Sequence, residues 1–317
     1  MQVAIASGKG GTGKTTLAVN LALAAPGPVR LLDCDVEEPN AHLFLGVRIE
    51  GRELVGIPVP EVNEERCTAC GACGEICQYS AIVALKTKPI LFPQLCHGCG
   101  GCQRVCPTGA IREVLRPIGE LEWGRRGELL FAHGRLNVGE AMAPPVIRAV
   151  KRWGRPPASA GAGLAKTPFI QVQPAATGDG DPPAESPAMT LIDAPPGTSC
   201  PVIEAVRGSD FVLLVTEPTP FGLHDLRLAV ELVRRLDLPC GVVINRDGIG
   251  DDGVEQYCLA EEIPILQRIP DDRRVAHAYS RGEAIVEALP EYREQFAALY
   301  AALKEYDRHA HTAHTRD

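Results

Sequence analysis

The sequence predicts an α/β protein whose doubly wound, mostly parallel sheet is interrupted by a small inserted α+β domain. Short apolar strands alternate with helical patterns along most of the 317 residues, which is typical of a parallel sheet with helices on both faces. After the second predicted strand, eight cysteines occupy two similar runs. We therefore expect the main domain to comprise residues 1–60 and 119–308, with the insert at 61–118.

The first strand leads into a glycine-rich loop. Apolar residues 3–6 precede the loop, and helical periodicity begins at Leu17. Gly8, Gly13, Lys14 and Thr15 satisfy the pattern G-x-x-x-x-G-K-[ST] in this strand–loop–helix context. In such a loop the backbone amides bind phosphates, the lysine reaches the β and γ oxygens, and the threonine ligates Mg²⁺. The predicted ATP-binding residues of the loop are Gly8, Lys9, Gly10, Gly11, Thr12, Gly13, Lys14, Thr15 and Thr16.

The eight cysteines form an internal repeat, because each member of the first run has its counterpart 29 positions later. The runs are Cys67, Cys70, Cys73, Cys77 and then Cys96, Cys99, Cys102, Cys106. In the bacterial 4Fe–4S pattern, three cysteines of a run hold one cluster while the fourth ligates the other. The predicted ligand sets are Cys67, Cys70, Cys73 and Cys106 for cluster 1, and Cys96, Cys99, Cys102 and Cys77 for cluster 2. The runs resemble the two-cluster bacterial ferredoxin module, although Gln78 stands where that module has a proline.

Two other uses of these cysteines compete with iron–sulfur clusters. Disulfides are disfavoured because neighbours at this spacing cannot all pair, and no secretion signal is evident. Structural zinc is the stronger alternative, since four thiolates also suit Zn²⁺. Zinc sites usually pair two separated C-x2-4-C units, whereas here three cysteines crowd into one loop, twice.

Further polar residues end the later apolar strands. Asp33 and Asp35 follow the second strand, and Asp193 and Gly197 follow a strand beginning near Leu191. Another strand ends at Asn245, and Pro270 and Asp271 lie beyond it.

The signature Lys9-Gly10-Gly11-x-Gly13-Lys14-Thr15-Thr16 resembles the deviant Walker motif of the MinD/ParA/nitrogenase-iron-protein class. With the insert, the order of motifs resembles MinD-superfamily P-loop ATPases that contain a ferredoxin domain, relatives of the Mrp/NubP iron–sulfur proteins. This resemblance implies that Lys9 reaches the nucleotide of a partner subunit. It also implies further roles: Asp35 positions the attacking water, Thr15, Asp33 and Asp193 serve the Mg²⁺ site, Gly197 senses the γ-phosphate, Asn245 reads adenine, and Pro270 and Asp271 close over the base.

Composition narrows the possible functions. The formal net charge of −8 argues against nucleic-acid binding, which favours a basic surface. No apolar run approaches the roughly 18 residues of a membrane span, so stable membrane insertion is not expected. Reduced cysteines without a secretion signal predict a cytoplasmic location.

Several helices and irregular segments are also predicted. Helices are expected over 139–152, over 221–236 and near the C-terminus. The C-terminal helix should dock its apolar face on the sheet domain through Tyr292, Phe296, Leu299, Tyr300, Leu303 and Tyr306.

Residues 153–188, rich in Pro, Gly and Ala, are expected to be a flexible excursion, and 309–317 a disordered tail. The isolated Cys34, Cys200, Cys240 and Cys258 are interpreted as buried small apolar residues, with a cluster bridging two copies through Cys200 as the alternative.

The favoured function is an ATPase, with ATP, Mg²⁺ and two 4Fe–4S clusters, that couples its nucleotide state to electron transfer. The expected partners are a second copy or a paralogue, joined through ATP, and an unidentified redox or cofactor-maturation protein. The alternative is an assembly factor for iron–sulfur clusters or metallocofactors. A MinD/ParA-like positioning ATPase ranks third, because that role needs no redox centre.

Overall fold

The structure is a computed structural model that describes residues 1–154, 171–174 and 187–314. In these residues the strands are β1 (Gln2–Ala6), β2 (Val29–Asp33), β3 (Arg48–Val62), β4 (Ile82–Val83), β5 (Ile90–Leu91), β6 (Ile111–Arg126), β7 (Leu129–Leu136), β8 (Gln171–Pro174), β9 (Met189–Asp193), β10 (Phe211–Thr216), β11 (Cys240–Asp247) and β12 (Ile265–Pro270). The α-helices are α1 (Lys14–Ala24), α2 (Ala41–Leu45), α3 (Ala72–Ile76), α4 (Gly101–Val105), α5 (Ala143–Arg152), α6 (Cys200–Val206), α7 (Pro220–Arg235), α8 (Gly253–Ala260), α9 (Arg273–Ser280), α10 (Ile285–Ala288) and α11 (Arg293–His314).

One sheet organises the main domain. Its strands lie in the order β12-β11-β10-β1-β9-β2-β7-β6-β3-β8, and every pair from β12 to β7 is parallel. The remaining pairs, from β7 to β8, are antiparallel. The prediction of a mostly parallel sheet is therefore confirmed, with an antiparallel extension along one edge.

Helices cover both faces of this sheet, as the apolar strands require. Along β1, Val3 and Ile5 pack in the same core layer as α1 and α11, whereas Ala4 and Ala6 pack in the opposite layer with α6 and α7. Because successive strand residues point to opposite faces, both layers bury the same strand. The doubly wound arrangement is confirmed.

The carboxyl ends of the central parallel strands bring polar residues together. Asp33 at the end of β2 pairs in register with Asp193 at the end of β9. The loop after β1 emerges at the same edge, because β1 lies beside β9. Parallel sheets bind ligands at this edge.

The cysteine-bearing segment is attached through a long antiparallel hairpin rather than through short linkers. Strands β3 and β6 pair from Arg48 and Arg125 at the sheet to Val62 and Ile111 at the far end. The predicted insert boundaries at 61 and 118 thus fall inside continuous strands. Between these strands lie α3, α4 and the two-stranded sheet of β4 and β5.

Two segments predicted to lack structure are partly ordered. Within the predicted excursion at 153–188, Gln171–Pro174 form β8, which pairs with β3. The stretches 155–170 and 175–186 lie outside the described residues. Helix α11 continues to His314, so residues 309–314 are helical where a disordered tail was expected. A propagating helix adds one hydrogen bond for each residue it fixes, and no glycine or proline stops it here.

The predicted amphipathic helices are confirmed. Leu226, Ala229, Val230 and Val233 of α7 are buried, and so are Tyr292, Phe296, Leu299, Tyr300 and Leu303 at and near α11. Tyr306 is 39% exposed but contacts the Phe211 ring, with centroids 4.7 Å apart. Among the described helices, none has the length and apolar character that crossing a membrane requires.

Replacing Phe296 with alanine should destabilise the protein, because this fully buried ring packs α11 against the sheet. We expect Phe296→Ala to lower the free energy of unfolding by about 3–5 kcal/mol. Urea denaturation followed by circular dichroism measures the loss. The control Ala301→Ser, at an exposed position of the same helix, should change stability little. A loss below about 1 kcal/mol for Phe296→Ala would contradict a docked helix.

Candidate functional site

The loop between β1 and α1 is shaped to approach a ligand closely. Gly13 adopts a left-handed conformation (φ 92°), and a Cβ there would collide with the amide nitrogen of the Asn245 side chain. A Cβ on Gly8 would collide with the backbone carbonyl of Asp225 on α7. Gly10 and Gly11 remain exposed, with open space above Gly11. The loop thus packs tightly on one side and presents backbone on the other, next to the N-terminus of α1, where anions are favoured.

Lys14 is a buried cation held inside this loop. Its ammonium donates to the Ser7 hydroxyl at 2.9 Å and to the Lys9 carbonyl at 3.4 Å. Burial lowers the pKa of Lys14, while Asp193 and Asp35 act in the opposite direction. A buried ammonium beside a glycine-rich loop suits recognition of phosphate oxygens.

Asp33 and Asp35 take different positions after β2. The Asp33 carboxylate accepts backbone amides of Asp35, Asn40 and Ala41 at 3.1–3.2 Å, so it fixes the loop that carries Asp35. Asp35 is only partly buried. Burial raises its pKa, and Lys14 counteracts that effect.

Asp193 is a fully buried carboxylate, and neither of its side-chain oxygens has a hydrogen-bond partner among the described residues. Burial raises its pKa, although the Thr15 hydroxyl approaches it and, with Lys14, favours the charged form. The Thr12 hydroxyl is also buried and has no hydrogen-bond partner within the described part of the chain. Buried polar groups normally have partners, so these atoms fit a site built to receive a bound cation and its ligands.

Lys9 and Arg246 are joined through Glu217, which follows β10. Lys9 Nζ lies 3.4 Å from one Glu217 oxygen, and Arg246 Nη1 lies 3.1 Å from the other. The ammonium of Lys9 is therefore held within its own chain, beside the loop.

The remaining predicted nucleotide residues surround the same edge. The Gly197 amide donates to the Ser7 carbonyl at 3.1 Å, so a phosphate would have to displace that bond. Asn245 donates to the Thr12 carbonyl at 2.8 Å, which ties β11 to the loop. Pro270 and Asp271 are exposed at the end of β12, and the Asp271 amide donates to the Asp247 carbonyl.

The eight cysteines surround two recesses at the far end of the β3–β6 hairpin. Recess 1 is lined by Cys67, Cys70, Cys73 and Cys106, and recess 2 by Cys77, Cys96, Cys99 and Cys102. The fourth cysteine of each run therefore lies with the first three of the other run. The two recesses are similar in size. Each could hold a group that takes four thiolates.

The two crossing cysteines share an environment that favours the thiolate. The Cys106 sulfur accepts the Ala110 amide at 3.2 Å and lies 3.7 Å from the Thr108 hydroxyl. Burial tends to raise the pKa of Cys106, but these contacts outweigh it and lower the pKa overall. Backbone amides following Cys77 lower its pKa in the same way. By contrast, burial raises the pKa of Cys102 to about 11.

No group of three or more His, Cys, Asp or Glu side chains in the described part of the chain is arranged around a single metal ion. A 4Fe–4S cluster requires a wider arrangement of ligands, because each thiolate binds a different iron and the four cysteine sulfurs surround the whole cluster. The donor set of each recess, four thiols, fits such a cluster.

The isolated cysteines differ in exposure. Cys34 and Cys258 are buried in the core, as interpreted from the sequence, and Cys240 is partly buried. Cys200 is exposed at the start of α6, so the interpretation as a buried residue is wrong there. The cause is local: Cys200 directly follows the loop of Pro195–Ser199 at the open edge of the sheet.

Sequence reasoning assigned no role to Glu217, Ser7 or the buried pair of His133 and Glu122. His133 Nε2 lies within hydrogen-bonding distance of Glu122 Oε2, at 2.9 Å, and His133 pairs in register with Asp33. The only sequence signal for such contacts is a polar residue within or just after an apolar strand. Such a polar residue does not indicate which distant side chain it contacts.

Comparison with known proteins places this geometry in a family. The family model described as "CobQ/CobB/MinD/ParA nucleotide binding domain" matches residues 3–285. An uncharacterised protein of Methanocaldococcus jannaschii is 30% identical over 290 residues, covering 90% of this chain and 91% of that protein. An iron-sulfur cluster carrier protein of Pyrococcus abyssi is 24% identical over 303 residues, covering 90% of this chain and 79% of that protein.

Solved structures share the fold. The cell division ATPase MinD of Pyrococcus furiosus has a TM-score of 0.53 at 20% identity, covering 96% of this chain and 98% of that one. The septum site-determining protein MinD of Pyrococcus horikoshii, complexed with Mg-ADP, has a TM-score of 0.52 at 19% identity, with 95% of both chains covered. With the family match across most of its length, the chain belongs to the CobQ/CobB/MinD/ParA nucleotide-binding family.

Proposed function

We propose that this protein binds and hydrolyses ATP, and that its nucleotide state controls electron transfer through two 4Fe–4S clusters toward a partner protein. The observation that carries the proposal is the grouping of eight cysteines into two sets of four, each drawn from both runs. The same chain holds a phosphate-binding loop with a buried lysine and an unpartnered buried carboxylate.

In this proposal each polar residue at the sheet edge has one task. Lys14 binds the β and γ phosphates, and Thr15 and Asp193 hold Mg²⁺. Asp35 orients the attacking water, for which its partly buried position beside Lys14 is suitable. Asp33 keeps the Asp35 loop in place through its three backbone hydrogen bonds.

The cysteines of recess 1 would hold one cluster and those of recess 2 the other. A 4Fe–4S cluster supplies one-electron redox chemistry at a potential that depends on hydrogen bonds to sulfur and on solvent exposure. Amides that point at Cys77 and Cys106 stabilise the thiolate form that ligation requires.

The strand order supports communication between the two regions. Strand β2, which ends at Asp33, is separated from β6 by β7 alone. In register across these strands lie Asp33, His133 and Glu122, and Glu122 pairs with Arg52 on β3. Strands β3 and β6 continue to the recesses, where Pro58 and Pro60 line recess 2 and Val62 lines recess 1.

A second candidate function is assembly of iron–sulfur clusters or metallocofactors. The similarity to an iron-sulfur cluster carrier protein along 90% of this chain favours it. Against a simple carrier, the eight cysteines fill both sets of four and leave no open ligand position in either. A role as a MinD/ParA-like positioning ATPase ranks third, because it gives the two recesses no function.

Substituting Asp35 should separate nucleotide binding from hydrolysis. We expect Asp35→Ala to bind ATP normally but to lose turnover by about 10²–10⁴-fold, since water positioning is lost. Lys14→Ala should instead lose nucleotide affinity. Calorimetric titration measures binding, and phosphate release measures turnover. Glu37→Ala, at an exposed position two residues away, is the control and should hydrolyse ATP like wild type. Wild-type turnover in Asp35→Ala would refute the role of Asp35.

Anaerobically purified protein should contain about eight irons and eight sulfides per chain. Cys77→Ala should lower the iron content and change the electron paramagnetic resonance signal of one cluster, because only recess 2 loses a thiol. Cys106→Ala should change the other signal. Cys258→Ala, which alters a buried core cysteine, should leave both intact. Stoichiometric zinc with negligible iron after anaerobic reconstitution would contradict the redox proposal.

Redox titrations distinguish electron transfer from assembly. A non-hydrolysable ATP analogue should shift the midpoint potential of one cluster by tens of millivolts, where about 59 mV corresponds to a tenfold change in the one-electron equilibrium constant. The shift should vanish in Lys14→Ala, which cannot bind the analogue. Superimposable curves with and without the analogue would favour the assembly function instead.

A further inference from the structure

Glu217 is a carboxylate shared by two cations beside the phosphate-binding loop. Its side chain is only 10% exposed, whereas those of Lys9 and Arg246 are 34% and 55% exposed. Each cation lies against a different oxygen of the carboxylate, at 3.4 Å for Lys9 and 3.1 Å for Arg246.

The backbone around Glu217 is fixed by close packing. A Cβ on Gly222 would collide with the Glu217 carbonyl, and one on Gly250 would collide with the Pro218 carbonyl. The Thr219 amide donates to the Glu217 carbonyl at 2.8 Å. The Thr216 hydroxyl donates to the Gly222 carbonyl at 2.9 Å, at the start of α7. The carboxylate is thus the fixed member of the cluster, and the two long, flexible cationic side chains adapt to it.

We propose that Glu217 is a positioning residue that keeps Lys9 on its own chain until nucleotide on a second copy of the chain competes for it. The inference rests on the proposed function and on the dimer that the deviant Walker motif implies, in which ATP joins two copies of the chain through Lys9. Arg246 forms an ion pair with the same carboxylate, and its positive charge weakens the attraction between Glu217 and Lys9. Removing the carboxylate and removing Arg246 therefore have opposite effects.

The two substitutions are tested by measuring dimerisation with a non-hydrolysable ATP analogue, using sedimentation velocity over a range of protein concentrations. Glu217→Gln should lower the dimer Kd by about fivefold for each contact released, corresponding to about 1 kcal/mol. Arg246→Met should raise the dimer Kd. Glu261→Gln, which breaks an ion pair with Arg234 elsewhere on the surface, is the control and should match wild type. Unchanged dimerisation in both Glu217→Gln and Arg246→Met, or shifts of the same sign, would overturn the proposal.

A second measurement needs no dimer. In nucleotide-free protein, acetylation of Lys9 by acetic anhydride, followed by mass spectrometry, should be faster in Glu217→Gln than in wild type and slower in Arg246→Met. If Glu217→Gln does not fold, Glu217→Asp replaces it, because the shorter side chain withdraws the carboxylate from Lys9 and Arg246 and weakens both contacts. Equal acetylation rates in all folded variants would also refute the contact.

Lys9→Ala separates failure of the Glu217 role from failure of the ATP-joined dimer, while phosphate release and redox titration test the proposed function separately. If Lys9→Ala dimerises with the analogue like wild type, ATP does not join two copies through Lys9, and the dimer that the motif implies is wrong. If Lys9→Ala loses dimerisation while Glu217→Gln behaves like wild type, only the role of Glu217 is wrong. In the double variant, Glu217→Gln should add nothing to Lys9→Ala.

Discussion

At the nucleotide-binding edge of the sheet, acidic side chains outnumber the basic side chain with which they share the site. Asp33, Asp35 and Asp193 share the site with the buried ammonium of Lys14. Burial raises the pKa of each of the three carboxyl groups and lowers the pKa of Lys14, so it favours the neutral form of all four groups. Isolated charges are costly in such surroundings unless they are paired or bind a metal. A bound divalent cation with a phosphate ligand would balance both signs at once. The close packing of the loop, the fixed Asp33 turn and an Asp193 carboxylate without a hydrogen-bond partner among the described residues are all compatible with a site that binds such a cation.

The features that sequence predicted best are those encoded in short, contiguous patterns. The phosphate-binding loop depends on glycines and a lysine within a few residues of each other, and residues 3–6 before it are all apolar. Helices such as α7 and α11 were predicted because their buried residues recur at helical spacing. The spacing of the cysteines within each run likewise predicts the crossed grouping of the two sets of four.

The features that sequence did not predict depend on contacts between distant segments. Lys9 and Glu217 are 208 residues apart in the sequence, and the adjacency of β1 and β10 brings them together. The pairing of β8 with β3 joins a short strand to a segment more than a hundred residues away. The extent of β3 and β6 was also not predicted, because it depends on pairing between two segments that are far apart in the sequence. Glu61 and Arg112, for example, pair across the ribbon and form an ion pair.

The β3–β6 hairpin would amplify any rotation at the sheet into a larger displacement at the cysteine recesses. Beyond the part paired with β7 and β8, residues 57–62 of β3 and 111–118 of β6 continue as a two-stranded ribbon. Six extended residues span about 20 Å, so a rotation of about 10° at the sheet would displace the far end by about 3.5 Å. Small movements at the nucleotide edge would thereby become displacements comparable to an atomic diameter at the recesses. A distance of that size decides whether a surface group can approach a partner.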